Sequence, residues 1–178
     1  QTTFICDKLY FGPEQKNDLA LSPVAVAFAK KEKMISPYAP TYAAQLFRFT
    51  NFYVKYYRSG PGRRDPHAAE RAANAEHVRF NMETKIMPEN MPLPPGTKNP
   101  EEFQHHTVGP QAFVNALCGA IVKYHMQSRA EVQSFDFRTL ILVEEQHPDI
   151  PTYYLTSSAK ALSSDMVPQL LRATIAAK

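Results

Sequence analysis

The chain has no tryptophan, only two cysteines and only six glycines in 178 residues. Cys6 and Cys118 are too far apart in sequence to form a C-x-x-C pair, which argues against a disulfide framework or a cysteine-rich zinc site. Two buried free thiols in a reducing compartment, cytosol or mitochondrial matrix, are the expectation. The glycines are scattered, and neither G-x-x-x-x-G-K-[ST] nor G-x-G-x-x-G occurs, so no sequence-evident loop cradles a phosphate. Charge of one sign is also missing. A net charge of +3 with interleaved acids gives no stripe able to neutralise several phosphates, which argues against a nucleic-acid partner. No long apolar run is present either. Ala112 to Val122 is about half the roughly 20 residues that a membrane span requires.

What the chain does have is proline and aromatics: 15 Pro, 11 Phe and 9 Tyr. A length of this order suits one domain, 1–178, with a sizeable core. Residues 1–20 read as an extended arm and 88–100 as a proline-rich, polyproline-like connector. Ser22-Pro23 is an N-cap followed by proline at the first helical position and predicts a helix over Val24–Met34. Tyr42, Leu46, Phe49, Tyr53, Tyr56 and Tyr57 recur at three- and four-residue spacing and predict a helix over Thr41–Arg58, stopped by Ser59-Gly60-Pro61-Gly62.

Asp65-Pro66 predicts another helix start, and Ala68, Ala72, Ala75, Val78, Met82 and Ile86 extend that helix to Met87. Asn99-Pro100-Glu101-Glu102 has capping-box spacing for a short helix. Gly109-Pro110 opens a further one, with Phe113, Leu117, Ile121 and Tyr124 on its buried face. Phe135–Glu145 fits strand or helix, and for want of a pairing partner helix is preferred. Helices over Thr152–Leu162 and Asp165–Ala177 complete an all-α reading.

Helix starts repeat. Pro37-Tyr38-Ala39-Pro40-Thr41-Tyr42 recurs as Pro148-Asp149-Ile150-Pro151-Thr152-Tyr153, with a looser copy at Pro110. The spacing suits helical hairpins stacked into a short α-solenoid. Glu144 to Tyr153 resembles the junction between two units of the pentatricopeptide repeat family. That resemblance implies an all-α solenoid of helical hairpins, and for RNA-reading members one base per repeat. Of Tyr153, Tyr154, Val114 and Asn115 at the corresponding places, only Asn115 could read a base edge, so RNA binding is not expected.

A short helical chain of this kind is also similar to the small accessory F1 subunits of euglenozoan mitochondrial ATP synthase. That likeness implies a non-catalytic subunit, mitochondrial, on the matrix side of an inner-membrane complex and docked on the F1 head. The alternatives are an organellar RNA-binding repeat protein and a supernumerary subunit of a respiratory-chain complex.

No catalytic, cofactor or metal site is expected. His105 and His106 are adjacent and point about 100° apart on a helix, so they do not chelate together. His125 lies two turns from Cys118, too far to activate it. The partner-binding candidates are aromatic and basic: Phe47, Phe52, Tyr53, Tyr56 and Tyr57, with Arg58, Arg63 and Arg64 after them. Rings surround so much of the helix that one neighbour cannot cover them, and surplus Tyr suits a protein interface. The alternatives are a core stripe for the rings and a solvated helix end for the arginines.

Overall fold

A computed structural model of the chain describes residues 22–37, 41–86 and 107–156. The arm, the connector, the capping box at Asn99, the helix over Asp165–Ala177, Cys6, His105 and His106 lie outside the described residues.

Two helices begin where proline punctuation places them. α1 spans Pro23–Glu32 with Pro23 in its first turn. It closes on Lys33, whose left-handed conformation (φ 54°) lets Met34 N–H reach the Ala29 carbonyl at 2.9 Å. α2 spans Ala43–Arg58. The 3-10 turn Pro61–Arg64 comes next, and then α3, Ala68–His77.

α2 is the hub of the helical layer. On one side Phe47, fully buried, packs edge-on to Phe80 with ring centroids 5.2 Å apart and also meets Tyr124. On the other side Phe49 and Phe52 take Phe28 of α1 at 5.1 and 5.5 Å. A third side presents Tyr57 to the small Ala68 and Ala72 of α3, which permit close helix approach. Arg48 ties this layer together, donating to Glu32 of α1 at 2.6 and 2.9 Å and to the hydroxyls of Tyr42 and Tyr124 at 2.9 and 3.1 Å.

The chain is not all-α, and the solenoid of helical hairpins is corrected by a parallel sheet. β1 (Phe80–Thr84), β2 (Ala130–Ser134) and β3 (Thr152–Tyr154) form a three-stranded parallel sheet in the order β1-β2-β3. The register pairs Phe80 with Ala130 and Thr84 with Ser134, then Val132 with Thr152 and Ser134 with Tyr154. α4 (Pro110–Lys123) carries the chain from β1 to β2, and α5 (Phe137–Gln146) from β2 to β3. Parallel neighbours require such crossovers.

The helix expected to run to Met87 stops ten residues earlier, at His77. Arg129 shows why. Its guanidinium donates to the Ala75 and Val78 carbonyls at 2.7 and 3.0 Å, satisfying helix-end acceptors, while Phe80 N–H donates to the Arg129 carbonyl at 2.7 Å. One residue thus ends α3 and starts the β1–β2 ladder. The expected helix from Thr152 is also corrected. Thr152 to Tyr154 is a strand, because β2 offers an unpaired edge there: Val132 N–H bonds the Pro151 carbonyl and Leu155 N–H the Ser134 carbonyl, both at 2.9 Å. The helix expected over Phe135–Glu145 is present as α5, close behind a strand, β2, that was not expected.

One face of the sheet is the core. Phe80, Ala130 and Val132 pack with Val114, Leu117, Cys118 and Ile121 of α4 and with Leu140 and Val143 of α5. At the C-terminal ends of the strands this face turns polar but stays buried. The Thr84 hydroxyl donates to Ser134 Oγ at 2.6 Å, and Ser134 Oγ accepts from Asp136 N–H at 2.9 Å. Asp136, 1% exposed, caps α5 by accepting from Arg138 N–H at 3.0 Å and holds the Arg138 guanidinium at 2.8 Å. Replacing Ser134 with Ala strands the Thr84 hydroxyl and the Asp136 N–H in a dry site. Chemical denaturation should show Ser134→Ala to be destabilised by about 1–3 kcal/mol; a variant as stable as the parent would show that this pair does not hold the strand ends.

Candidate functional site

Strand alternation sends every second residue away from the core. On that second face lie Asn81 and Glu83 of β1, Glu131 and Gln133 of β2, and Tyr153 of β3. None of them belongs to a core cluster among the described residues. Parallel sheets ordinarily bury apolar side chains on both faces. Here α4 and α5 pack on the same side, and the opposite face is polar and partly open, with Tyr153 48% exposed.

The register lines Glu83, Gln133 and Tyr153 across the three strands as direct neighbours, spaced by about 4.8 Å per strand. Asn81 sits beside Glu131 one step towards the N-terminal end. Each carboxylate has its own cation. Glu83 accepts from Lys85 Nζ at 2.6 Å, just beyond the C-terminal end of β1, and Glu131 meets Arg79 at 3.4 Å at the opposite end. The carboxylates are mostly covered, at 23% and 17% side-chain exposure, while Lys85 is 76% exposed and reaches into solvent. The C-terminal end of the face therefore presents a shielded carboxylate, a solvated ammonium, an amide and a phenol in one row.

The row is held from behind. Besides the Thr84–Ser134 pair, Glu144 of α5 accepts from Thr152 Oγ1 at 2.6 Å and from the Tyr154 hydroxyl at 3.2 Å, so β3 is tied to α5 by side chains on either side of Tyr153. Burial, then the Glu144 charge, pushes the Tyr154 phenol up to about 12.

The residues singled out in the sequence lie elsewhere. Phe47 is enclosed in the main core and Tyr57 in the smaller cluster between α2 and α3, so neither is free to meet a neighbour. Phe52, Tyr53 and Tyr56 are half-buried: Phe52 meets Phe28 of α1 and Tyr56, and Tyr53 meets Phe49 and Tyr57, the last with centroids 4.8 Å apart. The rings around α2 are thus shared among three neighbours within the chain, and Phe52, Tyr53 and Tyr56 keep part of their surface open. Arg58 pairs with Glu76 at 2.6 Å, and Arg63 and Arg64 are exposed on the 3-10 turn. Cys118 is fully buried in α4; desolvation, with the Asp149 charge second, pushes its thiol up to about 11.

Sequence reading missed Glu83, Lys85 and Gln133, and met Tyr153 only as a repeat position. A signal was there: Phe80-Asn81-Met82-Glu83-Thr84-Lys85-Ile86 and Ala130-Glu131-Val132-Gln133-Ser134 both alternate with period two. Among the described residues no group of three His, Cys, Asp or Glu side chains converges, and no helix is long and apolar enough to cross a membrane. No protein-family model, curated protein or solved structure matches this chain.

The two raised titrations can be measured. The neutral Tyr154 phenol is favoured in the folded state, since its folded pKa lies above the ordinary value near 10. Its contribution is whole below pH of about 10 and fades as pH climbs towards about 12. Denaturant midpoints measured across that window should fall less in Tyr154→Phe than in the parent. Cys118 should resist alkylation by iodoacetamide at neutral pH until denaturant is added, read by mass spectrometry of the Cys118 peptide; prompt native labelling would contradict its burial.

Proposed function

We propose that the polar face at the C-terminal ends of β1, β2 and β3 is a wall of an enzyme active site that takes a small anionic substrate. Three parallel strands in sequential order, with both crossover helices on one side, form the repeating arrangement of a βα barrel wall, whose second face turns inward. Folds of this kind place their chemistry at the strand C-termini, where loops rather than packing decide which residues are used. This chain has its shielded carboxylate there.

The single observation that carries the reading is the Glu83–Lys85 pair, 2.6 Å apart, beside Gln133 and Tyr153 on a face that no core cluster among the described residues uses. The roles come from the chemistry of each group. The Glu83 carboxylate is the proton acceptor. The Lys85 ammonium, on a flexible stem, swings from Glu83 to the substrate's negative charge. Gln133 and Tyr153 orient the substrate through amide and hydroxyl hydrogen bonds.

The docked-subunit reading drew on helical repeats and surplus aromatic surface. Thr152-Tyr153, its best repeat start, is strand, and of its rings Phe47 and Tyr57 are enclosed while Phe52, Tyr53 and Tyr56 are half-buried.

Thermal unfolding of the full chain against a panel of small carboxylates, which leaves phosphate out, tests the proposal. A ligand at a hundred times its dissociation constant stabilises the fold by about 2.7 kcal/mol. At least one compound should raise the midpoint of the parent, and Glu83→Gln and Lys85→Met should each abolish that rise. If a substrate is identified this way, Glu83→Gln should lower turnover by roughly 10²–10⁴-fold. Stabilisation that persists in both variants, or none with any compound, would refute the assignment.

A further inference from the structure

The turn after α2 carries two arginines side by side. Arg63 and Arg64 are exposed and make no ion pair among the described residues. The carboxylates close by are already engaged: Glu76 holds Arg58 at 2.6 Å, and Asp65 meets Arg71 at 3.5 Å and accepts from His67 N–H at 2.8 Å.

The turn is also tightly packed and borders a recess. A side chain at Gly60 would meet the Tyr56 carbonyl at 2.8 Å, and one at Gly62 would meet the Tyr56 ring at 2.5 Å and the Tyr57 ring at 2.8 Å. The loop backbone is therefore pressed onto two aromatic rings that are themselves packed together, with centroids 5.1 Å apart. Arg63 N–H donates to the Gly60 carbonyl at 3.1 Å and Asp65 N–H to the Gly62 carbonyl at 3.0 Å. Ser59, Gly60, Pro61, Arg63 and Arg64 line a recess of about 460 Å³, within the size range of small-ligand sites.

We propose that this recess is a phosphate-binding site, taking the dianionic phosphoryl group of a ligand between Arg63 and Arg64. Guanidinium forks match phosphate oxygens in pairs, which an ammonium cannot do. The site is separate from the Glu83–Lys85 face and does not depend on the function proposed for it. The phosphoryl group is that of a soluble phosphorylated molecule or of a lipid head group.

Calorimetric titration of inorganic phosphate into the full chain, with vesicle co-sedimentation as a second arm, tests the proposal. Phosphatidylcholine vesicles with and without phosphatidic acid distinguish the lipid source from the soluble one. Phosphate, the doped vesicles or both should bind, and affinity should weaken as salt rises. Arg63→Ala and Arg64→Ala should each weaken binding by about tenfold or more. Arg63→Lys with Arg64→Lys, which retains the charge, should bind more weakly than the parent and more tightly than the alanine pair. Glu83→Gln and Lys85→Met should leave this binding unchanged. These exposed arginine variants should keep the parental circular dichroism. Absence of binding in both arms, undiminished binding by the double alanine variant, or loss only in the Glu83 and Lys85 variants would overturn the site.

Discussion

Everything in this fold depends on β2 pairing in parallel on both of its edges. A parallel neighbour cannot be reached by a tight turn, so each pairing demands a helix that returns the chain to the starting end of the sheet. α4 and α5 are those helices, and their apolar stripes meet the same face of the strands. With both on one side, the other face joins no core cluster among the described residues. Its composition fits that placement: Asn81, Glu83, Glu131, Gln133 and Tyr153 could not have been buried under an apolar helix without stranding their polar groups. The sheet is thus divided between a buried apolar face and a polar one along a plane one residue thick.

Helices were more legible than strands, for a physical reason. Proline at a helix start and a charged or glycine-rich end are local signals, and α1, α2 and α4 begin within two residues of their expected places. The failure at β1 is instructive. Val78, Met82 and Ile86 are spaced by four, which suits one face of a helix, but four is also even and puts the same residues on one face of a strand. Local pattern cannot separate the two. Arg129 does, from some fifty residues away, by taking the carbonyls of Ala75 and Val78 that a longer helix would have used itself.

The repeated hexapeptide makes the same point more sharply. Thr41-Tyr42 leads into α2, whereas Thr152-Tyr153 lies in β3. After the first come Ala43, Ala44 and Gln45, good helix formers; after the second come Tyr154, Leu155 and Thr156, of which the Tyr and Thr favour extended backbone. The second also arrives beside an unpaired strand edge. Two similar starts diverge because their downstream residues and their tertiary neighbours differ. The aromatic helix was read correctly as a helix and incompletely as a surface. Counting rings around its circumference shows that several neighbours are needed, but not whether they belong to the same chain, and here α1, α3 and the sheet layer supply all three.

The candidate site escaped sequence reading because neither of its halves is a motif. A glutamate two residues before a lysine is commonplace on any exposed strand, where the pair adds little. Its meaning comes from the strand end at which it sits and from the residues that stand behind it. Thr84, Ser134 and Asp136 lock the ends of β1 and β2, while Glu144 locks β3 through Thr152 and Tyr154. All of these anchors lie on the core side, one residue out of phase with Glu83, Gln133 and Tyr153. Buried hydroxyls at strand termini are a poor choice for stability alone, since apolar side chains would pack there without hydrogen bonds to satisfy. They make sense where the backbone must be held still so that the alternate residues, facing the other way, keep their spacing. A braced core face and a polar face of fixed spacing are then two consequences of the same period-two geometry.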